Sequence, residues 1–277
     1  MNQSNETPLL IDIGANLTHD SFHQDLDAVL DRARHAGVGQ IVVTGASENG
    51  SEAALRLAQQ YTHLHATAGV HPHEAGQFST ASTQHLRQLA QATEIVAMGE
   101  CGLDFFRDFS PRPKQESCFE QQLTLACETD KPVFMHERDA HDRFVSILEP
   151  YLKDLSKVVV HCFTGTQSQL ETYIELGCYI GITGWICDER RGLHLREMVA
   201  IIPANKLMIE TDAPYLLPRD LKPKPKSRRN EPMHLAHIAQ TIADIVGKPL
   251  SQVAKETKQT AVEFFGLEIQ PLIHEEH

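Results

Sequence analysis

Four side chains in this 277-residue sequence stand where chemistry could be done: Glu100, His136, His161 and Asp212. Each follows a short apolar, β-branched run, such as Val133 to Met135 ahead of His136 and Val158 to Val160 ahead of His161. One polar residue after such a run means little, because a His there is commonly a hydrogen-bonded structural residue. Several on the same edge of one sheet are harder to dismiss. Two imidazoles and two carboxylates brought together form a donor set for a divalent metal. Without a cation the carboxylates would repel one another and shift their pKa values. Asp212 also has an ordinary reading as a helix N-cap. Asp104 could belong to an Asp-Phe-Phe turn. His71 and His73 flank Pro72 and either contact a substrate or order a loop. Trp185, the sole tryptophan, is either a stacking surface for a base or simple packing.

The elements that must position these groups are legible as an alternation. Apolar runs over 9–13, 40–44, 64–70, 95–100, 132–136, 157–161, 178–183 and 206–211 predict strands. Helical patterns lie between them, over 22–36, 48–61, 82–92, 113–129, 139–154, 167–176 and 190–201. Two more follow, over 234–246 and 250–265. Strands alternating with helices imply βαβ units and a parallel sheet. Eight of them in a chain near the typical size of about 250 residues predict a closed (β/α)8 TIM barrel. An open doubly wound sheet is the alternative, but its G-x-G-x-x-G signature after the first strand is missing. Gly37 and Gly177 stand where helix C-terminal glycines belong, and the Ser110 to Pro113 run and Asp139 where helices start. In such a barrel, catalytic groups project from the C-terminal ends of the strands, which is where the four candidates fall.

Composition narrows the class. No apolar run approaches the roughly 18 residues needed to span a bilayer. Residues 1–8 are polar and lack Lys and Arg, unlike a secretory signal, so they read as a loose lead-in to a cytoplasmic protein. Residues 9–266 form one domain and 267–277 a C-terminal extension. Six cysteines without a C-x-x-C pair suggest free thiols. The net charge of −12 argues against a surface that is basic throughout. Against that background, 218–230 carries six basic residues and one acid, directly after the last strand. The ordinary reading is a solvated or mobile run. Its place beside the barrel mouth favours attraction of a polyanion, with Arg228 and Arg229 as phosphate contacts and the prolines stiffening a groove wall. Arg138 and the Arg190-Arg191 pair add charge from neighbouring loops.

Longer motifs carry a family resemblance. Gly69-Val-His-Pro-His73, Gly99-Glu-Cys-Gly-Leu-Asp104, Phe134-Met-His-Glu-Arg-Asp139, Val160-His-Cys-Phe-Thr-Gly165, Glu210-Thr-Asp-Ala-Pro-Tyr215 and Arg228-Arg-Asn-Glu-Pro232 span nearly the whole chain. With them the sequence resembles the TatD family of metal-dependent deoxyribonucleases. The resemblance implies a TIM barrel of the metal-dependent hydrolase type and 3′-to-5′ exonuclease action on single-stranded DNA or RNA, with a link to DNA repair. It also implies metal ligation by Glu100, His136 and His161, with Asp212 at the metal centre. On that metal centre the expected catalytic pair is Asp212 and Glu100; His71, His73, Arg138, Arg228 and Arg229 are the expected substrate contacts, and Asn16 supplies either an oxygen ligand or a hydrogen bond to phosphate. The family is associated with Mg2+, whereas two imidazoles suit Mn2+ or Zn2+ better. The expected partner is a single-stranded nucleic acid, the expected state a monomer away from membranes. One departure stands out: many relatives carry His-x-His after the first strand, and here those positions are Gly14 and Asn16. Two rival readings remain, an amide, ester or tRNA-ester hydrolase on the same barrel and a weakly catalytic nucleic-acid-binding scaffold.

Overall fold

In the computed structural model, which describes residues 9–268, the apolar runs form eight strands in chain order. They are β1 (Leu10–Ala15), β2 (Val38–Val43), β3 (Leu64–Ala68), β4 (Ile95–Asp104), β5 (Val133–Arg138), β6 (Val158–Val160), β7 (Tyr179–Ile182) and β8 (Leu207–Ile209). Every neighbouring pair is parallel, in the order β1 to β8. Helices α1 (Leu26–His35), α2 (Glu48–Gln60), α3 (Thr80–Leu89), α4 (Arg112–Thr129), α5 (His141–Leu148), α6 (Gln167–Glu175) and α7 (Leu193–Met198) occupy the crossovers, and α8 (Leu235–Val246) and α9 (Leu250–Phe265) follow β8.

The last strand returns to the first. Asp212 N donates to Gly14 O at 2.8 Å and Asn16 N to Ala213 O at 2.7 Å. Because β8 is short, a side chain extends the seam: Asp12 Oδ1 accepts from Thr211 N at 2.9 Å, and its other oxygen from the Thr211 hydroxyl. This is the expected (β/α)8 TIM barrel.

Strand alternation divides the apolar side chains into two layers. Along β2, Ile41 and Val43 join the large cluster beneath the helices, while Val42 points into the barrel interior with Ile11, Ile13, Val159 and Met208. Ala261, Phe264 and Phe265 of α9, with Leu267, join that inner cluster. Burying each such phenylalanine contributes about 1.5–3 kcal/mol. One end of the barrel is thereby filled with hydrocarbon, and the polar strand ends occupy the other.

Several boundaries differ from the sequence expectation for local reasons. The helix expected over 139–154 stops at Leu148 and tightens into a 3-10 turn, Glu149–Tyr151, at Pro150, which has no N–H to give. The start expected at Asp139 shifts to Ala140, and Asp139 takes left-handed dihedrals. The first helix begins at Leu26 after a 3-10 turn, and the seventh shrinks to six residues. Gly37 and Gly177 do adopt positive φ after their helices. All six cysteines are free. Among the described residues no helix is long and apolar enough to cross a membrane. The expected lead-in over 1–8 and most of the expected extension fall outside the described residues, although Leu267 is buried in the inner cluster.

Candidate metal centre

The centre is built around one carboxylate oxygen. β4 slips register against β5 between Met98 and Cys101. Gly99 sits there at φ +128°, where a Cβ would collide with the Phe134 carbonyl, and Glu100 follows it. Its Oε1 lies 2.8 Å from His161 Nε2, 3.3 Å from His136 Nδ1 and 3.4 Å from His71 Nε2. The rings come from the ends of β6, β5 and β3. Burial alone would raise the Glu100 carboxyl, but the surrounding imidazoles hold it well below the ordinary range.

The far nitrogens decide which rings can ligate a metal. His161 Nδ1 is 3.2 Å from Glu210 Oε2, and His136 Nε2 is 3.3 Å from Asp104 Oδ2. Each ring can therefore donate its one N–H to an outer carboxylate and turn the other nitrogen, His161 Nε2 or His136 Nδ1, toward Glu100. Carboxylate-oriented imidazoles of this kind are the usual metal ligands. Burial alone would lower both rings, yet Glu100 and Glu210 push His161 well above its ordinary value, and Asp104 and Glu100 raise His136. A cation here would replace ring protons, so its binding weakens as pH falls. His71 is different. Its Nδ1 accepts from His73 N at 3.1 Å, so the ring proton of the neutral form is on Nε2. Burial pushes His71 down to about 3, keeping it neutral. Although its nitrogen is close enough to group with Glu100 and His136, in this form it is a donor rather than a ligand.

Asp212 lies past β8 in the left-handed region, at φ 52°, with its N–H on the Gly14 carbonyl. Asn16 Nδ2 donates to Asp212 Oδ1 at 2.9 Å. Burial pushes the Asp212 carboxyl up to about 7; Glu100 and Glu210 add to the rise, while His161 and Asn16 oppose it.

Two carboxylates important to this geometry were not among the expected site residues: Glu210 had no reading at all and Asp104 only that of a turn residue. Glu210 is fully buried and, besides His161, accepts from Cys162 N at 2.6 Å, holding Cys162 at φ 47°. A Cβ at Gly14 would lie 2.5 Å from Glu210 Oε2 and one at Gly181 2.5 Å from Oε1, so both positions must be bare for the carboxylate to fit. The i, i+2 spacing of Glu210 and Asp212 was the available signal. Asp104 proves more than a turn residue: Oδ1 accepts from the N–H groups of Phe106 and Arg107, and Oδ2 faces His73 at 2.8 Å as well as His136.

The rim divides the remaining candidates. His73 packs against Phe109, and the Arg138 guanidinium lies 4.3 Å over the Phe106 ring. Phe106, Phe109 and Tyr215 are exposed at 55%, 66% and 51%. Trp185 is instead half-buried against the core. Arg229, expected to contact phosphate, is engaged within the chain. Its guanidinium is taken up by Asp25 at 2.7 and 2.8 Å, Glu231 at 2.7 Å and the Ser21 carbonyl, above Phe22. Arg190 pairs with Asp188, and Arg219 with Asp188 and Glu189. Lys222, Lys224, Lys226 and Arg228 are exposed.

The donor set fits a divalent cation: two nitrogens with outer carboxylate partners, and the Glu100 and Asp212 carboxylates beside them. Comparison with known proteins agrees with the geometry. The family described as TatD related DNase matches residues 11–266. The chain belongs to the TatD related DNase family. It is therefore a nuclease, a hydrolase of phosphodiester bonds. Relatives of this chain include the "3'-5' ssDNA/RNA exonuclease TatD" of Enterobacter lignolyticus, 53% identical over 93% of this chain and 99% of that protein. The protein of the same name from Escherichia coli is 51% identical over the same shares. Among solved structures, the YjjV TatD homolog from Escherichia coli superimposes with a TM-score of 0.87 at 30% identity, covering 95% of this chain and all of that one.

Proposed function

We propose that this TatD-family chain is a metal-dependent exonuclease that shortens single-stranded DNA and RNA from the 3′ end. The observation that carries the metal-dependent reading is the Glu100 Oε1 atom surrounded by three imidazole nitrogens, two of which have outer carboxylates to hold their far protons. Glu100, His136 Nδ1, His161 Nε2 and Asp212 would hold the cation. Bound there, it would supply Lewis acidity toward the scissile phosphate and lower the pKa of an attacking water.

The chain's own groups do the rest. Asp212, with Oδ1 held by Asn16 and its carboxyl raised to about 7, is suited to orient a water and take its proton near neutral pH. His71, neutral with Nε2–H facing Glu100 Oε1 at 3.4 Å, would turn that proton to a phosphate oxygen, and His73 and Arg138 steady the adjoining phosphate. The exposed Phe106, Phe109 and Tyr215 rings offer stacking faces for unpaired bases, which favours single strands over duplex. Lys222, Lys224, Lys226 and Arg228 supply the attraction for the backbone.

The test uses chelator-treated protein and single-stranded oligonucleotides labelled at either end, with Mg2+, Mn2+ or Zn2+ restored. Stepwise shortening from the 3′ end is expected, lost in Glu100→Ala and His161→Ala variants that keep their circular dichroism. Absence of shortening with every ion, or full activity in either variant, would refute the assignment.

A further inference from the structure

A second group of metal-ligating side chains lies outside the mouth. Cys187 ends the 3-10 turn Gly184–Cys187 after β7, Asp220 lies in the basic segment after β8, and His237 is on the first turn of α8. Their ligand atoms all fall within 4.8 Å of one another. His237 Nε2 is 2.7 Å from Asp220 Oδ1, and Arg196 reaches the other Asp220 oxygen at 3.9 Å. The Cys187 thiol is buried, 3.4 Å from the hydroxyl of Thr241, one turn beyond His237 on α8. Its sulfur thus faces the same side of the helix as the imidazole.

Three separate segments bring together a thiol, an imidazole and a carboxylate. A lone His–Asp pair on the surface would explain two of these groups but not the third. Sulfur, nitrogen and oxygen donors on three protein ligands suit Zn2+, whereas Mg2+ and Ca2+ prefer oxygen alone. Asp220 and His237 are about a third exposed, so an ion can enter from solvent and keep water as a fourth ligand.

We propose that Cys187, Asp220 and His237 form a second, thiolate-containing Zn2+ site that fastens the start of the basic segment to the barrel rim. On binding, the Cys187 sulfur–hydrogen bond breaks and its proton goes to solvent, a sulfur–zinc bond forms, and no oxidation state changes. His237 ligates through Nε2 as the neutral ring, with its proton on Nδ1. Asp220 is the single acid among the six basic residues of 218–230, so its ligation ties the basic run to both the turn after β7 and α8. The mouth centre supplies no cysteine ligand, so the two sites can be told apart by their spectra.

The experiment titrates chelator-treated full-length protein with Co2+ as a spectroscopic substitute for Zn2+. A thiolate-to-cobalt charge-transfer band is expected, displaced by Zn2+, kept in Glu100→Ala and lost in Cys187→Ser. Should Cys187→Ser fold poorly, His237→Ala replaces a partly exposed residue and is expected to weaken Co2+ binding at this band at least tenfold. In the wild-type chain, Zn2+ should also slow tryptic cleavage after Lys226 and Arg228, and should not do so in His237→Ala. Absence of the band at saturating Co2+, or its persistence at full strength in both Cys187→Ser and His237→Ala, overturns the proposal. Neither result bears on nuclease activity, which depends on the mouth centre.

Discussion

Replacing Glu210 by glutamine tests whether the mouth histidines owe their ligand form to buried carboxylates. The side chain keeps its shape between Gly14 and Gly181 but exchanges one oxygen for an NH2 group. If the remaining oxygen still accepts from Cys162 N, the amide donor faces His161 Nδ1 across 3.2 Å. That nitrogen must then accept, and the ring proton moves to Nε2, the atom proposed to hold the metal. If the amide turns over, donor meets donor at Cys162 instead. Either arrangement forfeits one hydrogen bond to a charged group, about 1.5–3 kcal/mol. This corresponds to a loss of about 10–100-fold in metal affinity, the usual cost of removing an outer partner. The assay is cleavage of labelled single-stranded DNA against metal concentration. The half-activating concentration in Glu210→Gln should rise by about 10–100-fold, with much of the rate recovered at saturating metal and a near-native Tm. An unchanged half-activating concentration would show that Glu210 only fills space and would refute the argument.

Other consequences follow from the same geometry. Burial pushes Asp12 up to about 8 from an ordinary value of 3.8. The folded chain therefore keeps a proton that the unfolded chain loses, and this contribution to stability is complete below about pH 4 and lost as pH rises through 8. The rise corresponds to an upper bound on the order of 6 kcal/mol. Asp12→Asn should flatten that part of the pH dependence in urea unfolding at pH 5 and pH 8.5, and an unaltered slope would count against it. Arg229→Ala should cost about 1 kcal/mol of stability, given its partly exposed pairs, and leave the salt dependence of DNA binding unchanged. Lys226→Ala or Arg228→Ala should reduce the slope of log affinity against log salt by about 0.7 each while leaving Tm alone; the opposite pattern would reassign both groups. Phe106→Ala and Phe109→Ala should each weaken single-strand binding by about 1–3 kcal/mol through lost base stacking, visible in KM for oligonucleotides. An unchanged KM in both variants would remove these rings from the substrate path.

Some of this arrangement could be read before any coordinates. Hydrophobic periodicity is local, so alternating apolar runs and amphipathic helices were enough to predict a barrel. The C-terminal-end rule then placed Glu100, His136, His161 and Asp212 around one mouth. Asp104 was legible only in part, because a turn residue and an outer partner of two histidines look alike in one dimension. Arg229 read as a phosphate contact because its basic neighbours dominate the local pattern. In the fold it also pairs with Glu231 close by and with Asp25 and Ser21 from about 200 residues earlier, which no local pattern shows.

The sequence by itself determined the order of elements, the donor types at the strand ends and the charge reversal over 218–230, all properties of neighbouring residues. Tertiary structure decided which nitrogen of each ring faces Glu100. It also decided that Glu210 fills the space left by Gly14 and Gly181, that Asp12 completes the seam, and that Cys187, Asp220 and His237 meet. The physical reason is common to all of these. Hydrogen-bond direction and close packing depend on barrel closure and strand register, which bring together groups that no local pattern connects.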